Sequence, residues 1–296
     1  MHIESLKVFC DLIDTRSFSK AASRNFISQS AVSQQVRALE ERFNRKLVER
    51  NRGGLAPTAA GLAFYQGCRE IIERFDALTE EMKGMGNVAS GPVRVSTVYS
   101  VGLHELSPLI KQFIKSYPQI NIHIEYSRAN KVYDDVMSGT ADLGIVAYPV
   151  ARPQIEVIPF RDDRLVLVAS PEHDFSSRKR VKISDLSGQR FIGFERDIPT
   201  RKAVDKILRE HGVSVQYVME FDNIETIKRS VEADQGISIV PRATVENEIR
   251  AETLRAIEFT QNFLRPLGII HRKGKSFSPA MRLFVDMLTQ EQTASA

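Results

Sequence analysis

Gln29, Ser30, Ser33, Gln34 and Arg37 put amides, hydroxyls and a guanidinium on one side of an apparent helix, with no carboxylate before Glu40. A helix N-terminus ordinarily favours Asp and Glu, so their absence calls for a reason. Amides, hydroxyls and guanidinium groups bond to base edges and phosphate oxygens, whereas a carboxylate at the same place would meet phosphates as a like charge. The local charge agrees with that chemistry. From Arg16 to Arg52, nine Lys or Arg stand against three acids (Glu40, Glu41 and Glu49), while from Ala59 to Ser90 three bases face five acids. The basic excess is an N-terminal property of a chain whose net charge is only +4.

The elements that must hold these residues are legible around them. Val32, Val36, Leu39 and Phe43 recur at spacings of four, three and four, which gives the helix one core-facing stripe. A first helix carries Leu6, Phe9 and Ile13. A short second one, in SFSKAASRNF, has Ser17 or Ser19 as N-cap and small Ala21 and Ala22 where another helix can approach closely. Ser28 is the expected N-cap of the third. Two short helices joined by three or four residues after a supporting helix make a helix-turn-helix, whose second helix enters the DNA major groove with its N-terminal residues at the bases. ERNRGGLAPTAAG then places Arg50 and Arg52 before a Gly53-Gly54 turn, followed by Pro57 and a capping Thr58: a basic wing beside the recognition helix.

SFSKAASRNFISQSAVSQQVRALEERFNRKLVERN followed by LAPTAAG closely resembles the amino-terminal domain of LysR-type transcriptional regulators over nearly sixty residues. Leu-Val-Glu-Arg at 47–50 departs from the family's Leu-Phe-x-Arg by one core contact. The resemblance implies double-stranded DNA as partner, through an operator that is an interrupted inverted repeat with a T…A core. It also implies a homodimer pairing into a homotetramer, RNA polymerase as a further partner, and a small-molecule effector. On this reading Gln29, Ser33, Gln34 and Arg37 contact bases or their surroundings, Arg50 and Arg52 contact phosphate, and Ser19, Ser28, Ser30 and Thr58 are further DNA-binding residues.

From Ala59 to about Asn87 no proline occurs, and Tyr65, Cys68, Ile72, Phe75, Thr79 and Met82 alternate by three and four. A helix of about 28 residues spans about 42 Å, too long to stay alone with an exposed seam. A second copy packing through Tyr65, Ile72, Phe75 and Met82 is therefore expected. GMGNVASGP (84–92) marks a boundary. Beyond it strands and helices alternate in two similar series, NKVYDDVMSGTADLGIV echoing IETIKRSVEADQGISIV. That order predicts parallel sheet in two α/β lobes resembling a periplasmic-binding-protein-like sensor, as the LysR family carries. The whole is multidomain: an all-α winged helix-turn-helix over 1–58, a linker and dimerisation helix with hinge over 59–90, and a two-lobed α/β effector domain over 91–296. Lobe I is expected at about 91–161 and 268–296, and lobe II at about 162–267.

The family places a small effector between the lobes, at strand ends and helix starts. Thr97, Ser100, Arg128, Thr200, Arg201 and Asn223 stand at such positions, and helix N-termini with hydroxyls and an arginine suit a carboxylate or phosphate. Other chemistries lack their constellations. GKS at 274–276 has Ile269 where a phosphate-binding loop needs glycine, six scattered histidines show no metal spacing, and no GxSxG occurs. Asp134-Asp135 and Asp162-Asp163 read as solvated surface. Cys10 and Cys68, without CxxC spacing, point to a reducing compartment and away from structural zinc. No signal peptide and no apolar run long enough for a membrane span is seen, so a cytoplasmic protein with no membrane partner is expected. An enzyme bearing a DNA-binding segment would need a convergent acid/base or nucleophile set, and a transport protein a signal peptide; neither is visible. No metal and no catalytic cofactor is expected.

Overall fold

A computed structural model describes residues 2–51, 54–84 and 90–294. Its contacts divide the chain into two units, Met1–Asn87 and Val88–Ala296. Most of the expected boundary segment, residues 85–89, lies outside the described residues.

In the first unit α1 (Ile3–Thr15), α2 (Phe18–Arg24) and α3 (Gln29–Phe43) surround a core of Leu6, Phe9, Leu12, Val32, Val36 and Leu39. Ala21 and Ala22 are buried where α2 crosses its neighbours. Of the two candidate caps for α2, Ser17 takes the role, its hydroxyl accepting from the Lys20 amide; Ser28 does the same for Ala31 at the start of α3. β1 (Val48–Asn51) and β2 (Gly54–Pro57) pair antiparallel as the wing.

The long helix α4 (Ala59–Gly84) starts at Thr58, whose hydroxyl accepts from the Gly61 amide at 2.9 Å and donates to the Lys46 carbonyl at 2.7 Å. Gly61 has a packing role, because a Cβ there would lie 1.8 Å from the Leu47 carbonyl oxygen. Tyr65 and Cys68 are buried against the unit's own core, and the Tyr65 hydroxyl donates to Asp14 at 2.5 Å. The expected seam is therefore corrected. Tyr65 serves α1 and Ile72 is half taken up by the same core, so the stripe left exposed is Ile71, Phe75, Leu78 and Met82, again spaced four, three and four.

The second unit opens with β3 (Gly91–Thr97), a wide helical turn (Val101–Leu106), α5 (Ser107–Ser116), β4 (Ile120–Tyr126), α6 (Ala129–Ser138) and β5 (Leu143–Ala147). β3 pairs parallel with β4 and β5, as the alternating pattern predicts. β6 (Ile155–Ala169) carries the charges of Glu156, Arg161, Asp162 and Asp163 in its first half and ends in the apolar run 165–169. β7 (Arg180–Val181), β8 (Arg190–Phe194), α7 (Pro199–Glu210), β9 (Gln216–Phe221), α8 (Ile224–Glu232), β10 (Ser238–Pro241), α9 (Glu246–Arg250) and β11 (Arg255–Phe259) follow. β12 (Leu264–Arg272) and α10 (Pro279–Ala294) come last among the described elements, and α10 packs its Ala280, Met281 and Phe284 into the first lobe's core.

β6 carries the chain between lobes. Up to Arg164 it pairs with β12, and from Leu165 onward with β10 and β11. These pairings are antiparallel, as is β5 with β12, so the sheet is mixed rather than wholly parallel. Phe160 belongs to one core and Leu165 to the other.

The two aspartate pairs are not simply solvated surface. Asp135 is buried, accepting from Ser96 Oγ at 2.9 Å and pairing with Lys131, and Asp163 is buried beside Arg265. Each pair has one buried member because successive residues point to different sides of a helix or strand.

Candidate functional site

In the first unit the N-terminal turns of α3 present Gln29, Ser30, Ser33, Gln34 and Arg37 to solvent, while Val32 and Val36 hold the opposite side in the core. Ser19, at the start of α2, donates to the Gln29 side-chain oxygen at 3.1 Å, which ties the starts of the two helices together. Ser28 and Ser30 share a 2.8 Å hydroxyl contact. Thr58 is occupied on both sides as a cap, which gives it a structural task between wing and α4. Arg52 and the side chain of Arg50 lie outside the described residues.

Glu40 explains why acid first appears where it does. Its Oε1 accepts from the Leu47 amide at 2.9 Å and the Val48 amide at 3.3 Å, and its Oε2 from Lys46 at 2.6 Å, fastening the wing to the far end of α3. Burial alone would raise this carboxyl, but the three hydrogen bonds outweigh it and hold the group below the ordinary glutamate range.

In the second unit a cleft of about 650 Å³, its open mouth included, lies at the strand ends and helix starts. Four helical N-termini open onto it: Ser100 before the wide turn, Arg128 and Ala129 at α6, Pro199 and Thr200 at α7, and Asn223 at α8. Of the six expected residues, Ser100, Arg128, Thr200 and Asn223 line it. Thr97 does not, because it ends β3 facing inward, where its hydroxyl donates to the Ile145 carbonyl at 3.0 Å. Arg201 does not either. One step past Thr200 on α7, it turns about 100° around the helix into the second lobe, beneath Tyr217, and pairs with Asp205 at 2.9 Å and Glu220 at 2.8 Å.

The residue that the sequence pattern did not reveal is Arg265, at the start of β12. It is wholly buried yet lines the cleft. Its guanidinium donates to Ser100 Oγ at 2.6 Å and meets Asp163 at 3.4 Å, while its Nε has no hydrogen-bond partner among the described residues. Burial pushes the Arg265 pKa down and that of Asp163 up, and raises the nearby Tyr148 hydroxyl to about 12. No apolar pattern distinguishes such a strand arginine, since its burial is decided by the strands on either side.

The matching family models settle the kinship. Residues 3–62 match the bacterial regulatory helix-turn-helix protein, lysR family, and residues 86–293 match the LysR substrate binding domain. The chain is a LysR-type transcriptional regulator. Among its relatives, the HTH-type transcriptional regulator CysL of Bacillus subtilis is 24% identical over 289 residues, covering 97% of each chain. A full-length OxyR variant from Pseudomonas aeruginosa shares the fold of this LysR-type regulator with a TM-score of 0.79 at 20% identity, over 98% of this chain and 94% of that one. The regulatory domain of Synechocystis PCC6803 CcmR in complex with 2-PG matches with a TM-score of 0.64 at 24% identity, over 70% of this chain and 99% of that one. The family's members act on transcription rather than as enzymes, and none of the described helices here is long and apolar enough to cross a membrane.

Proposed function

We propose that this regulator reads an interrupted inverted-repeat operator in double-stranded DNA through Gln29, Ser33, Gln34 and Arg37. Ser19, Ser28 and Ser30 support that surface, and Arg50 and Arg52 meet phosphate. Two copies join along Ile71, Phe75, Leu78 and Met82, which presents two recognition helices to two half-sites, and pairs of dimers form the tetramer that addresses RNA polymerase in the cytoplasm. The effector is a small anion held in the cleft, and it acts by favouring one arrangement of the lobes over another. No catalytic cofactor enters this scheme.

The observation that carries the anion is the unpartnered Nε of buried Arg265, which points to an acceptor atom supplied from the cleft among four helix N-termini, that at Ser100 included. Melting the purified protein with a panel of small metabolic anions tests it. A ligand at a hundred times its dissociation constant stabilises by about 2.7 kcal/mol. Shifts given only by cations or apolar compounds would end the anionic reading.

A further inference from the structure

The charged groups of the cleft are sorted by depth. Four charged residues line it: Arg128, Asp197, Asp222 and Arg265. Arg265 forms the floor, where it is shut off from solvent. The other three are about half exposed and stand at the mouth. There Arg128, from the first lobe, faces three carboxylates of the second lobe: Glu195 at 3.0 Å, Asp222 at 3.1 Å and Asp197 at 3.6 Å. Among the described residues Arg128 is the only cation within ion-pair distance of any of the three. One guanidinium against three carboxylates leaves two negative charges unbalanced on the rim, and Asp197 has the longest of the pairings.

The floor and the rim therefore ask for opposite things. A buried guanidinium N–H without an acceptor is costly and is relieved by a carboxylate or phosphate oxygen. A purely anionic ligand reaching that oxygen into place shares one cleft of about 650 Å³ with the rim carboxylates and is repelled by them, since charges act on one another within a screening length, about 8 Å at physiological salt. A cationic group on the same molecule removes the conflict.

We infer that the cleft takes a dipolar ligand, with a carboxylate or phosphate toward Arg265 and Ser100 and an ammonium toward Asp197 and Asp222: an amino acid or an aminoalkyl phosphate rather than a simple acid. This rests on the cleft being the effector site and adds the second pole. It also gives Arg128 a role, since an ammonium that takes over its carboxylates weakens the ion pairs that join the lobes at the mouth.

Matched probes that differ by one amine provide the test: alanine against propionate, serine against 3-hydroxypropionate, glutamate against glutarate, and phosphoethanolamine against ethyl phosphate, by thermal shift and titration calorimetry on the full chain. In at least one pair the amine-bearing member binds ten-fold or more tightly than its partner. Asp197→Asn with Asp222→Asn, both at half-exposed positions, removes that preference while the unliganded protein melts normally. The inference fails if the amine-free member binds as well or better in every pair that binds, and the anionic reading then survives alone. It also fails if the amine preference persists in the double variant. Binding by none of the eight probes overturns the inference, while the anionic reading is decided by the wider anion panel above.

Discussion

Replacing Glu40 with alanine removes the side-chain acceptor of two backbone amides. Leu47 is buried and Val48 half-buried, and both amides are directed at Oε1. An orphaned buried donor costs about 1–3 kcal/mol. The Val48 bond is long at 3.3 Å and the Lys46 partner is largely exposed, so the total lies nearer the lower end, about 2–4 kcal/mol. Glu40→Gln retains one oxygen for both amides but loses the charge and the acceptor of Lys46, which is largely exposed, so its cost is about 1 kcal/mol. Hydrogen exchange on the full chain reads this directly. Since about 1.4 kcal/mol is ten-fold, the Leu47 and Val48 amides exchange some thirty-fold or more faster in Glu40→Ala, and at most about ten-fold faster in Glu40→Gln. Because the folded carboxyl titrates below its ordinary value of 4.5, its contribution is complete above that pH and is lost as pH falls through the lower folded value. The difference between wild type and Glu40→Ala should therefore shrink in acid. Equal exchange in the two variants, or a difference that grows in acid, would refute the assignment of Glu40 as the wing's anchor.

Three other perturbations separate the roles proposed above. Phe75→Asp with Leu78→Asp on the exposed stripe of α4 should convert the protein to monomers in sedimentation velocity and abolish cooperative operator binding; a dimer that persists would place the subunit contact elsewhere. Gly61→Ala, which forces a methyl group against the Leu47 carbonyl, should destabilise the first unit by about 1–3 kcal/mol and weaken DNA binding, as melting and band-shift assays would record. Arg201→Ala leaves Asp205 without its cation and Glu220 with only the exposed Arg196 at 3.8 Å; since both carboxylates are a third or more exposed, the loss is about 2–3 kcal/mol of stability. A bound anion should still raise its melting temperature, and a variant that melts normally but has lost the ligand would return Arg201 to the cleft.

The parts legible in the sequence are those that local chemistry decides. Ser17 and Ser28 cap their helices because a hydroxyl can reach an amide three residues on, and Val32, Val36 and Leu39 face inward because their spacing requires it. What escaped depends on neighbours distant in the chain. Tyr65 and Cys68 fit a seam by period, but α1 claims them, which moves the exposed stripe to Ile71, Phe75, Leu78 and Met82. Thr97 and Arg201 stand at the expected strand end and helix start, but a single position on either element redirects the side chain away from the cleft. Arg265 is flanked by Leu264 and Pro266 in a strand, and only the meeting of β12 with β6 and Ser100 makes it the floor of a site.

DNase I footprinting of the purified protein on the DNA flanking its own coding sequence tests the central claim most directly. The account predicts a protected, interrupted inverted repeat, its two halves lost together in Gln34→Ala with Arg37→Ala, a pair of exposed α3 residues whose replacement leaves the core untouched. Each lost base contact should weaken the site by about 1–3 kcal/mol. An unprotected region, or a footprint identical in the double variant, would contradict it.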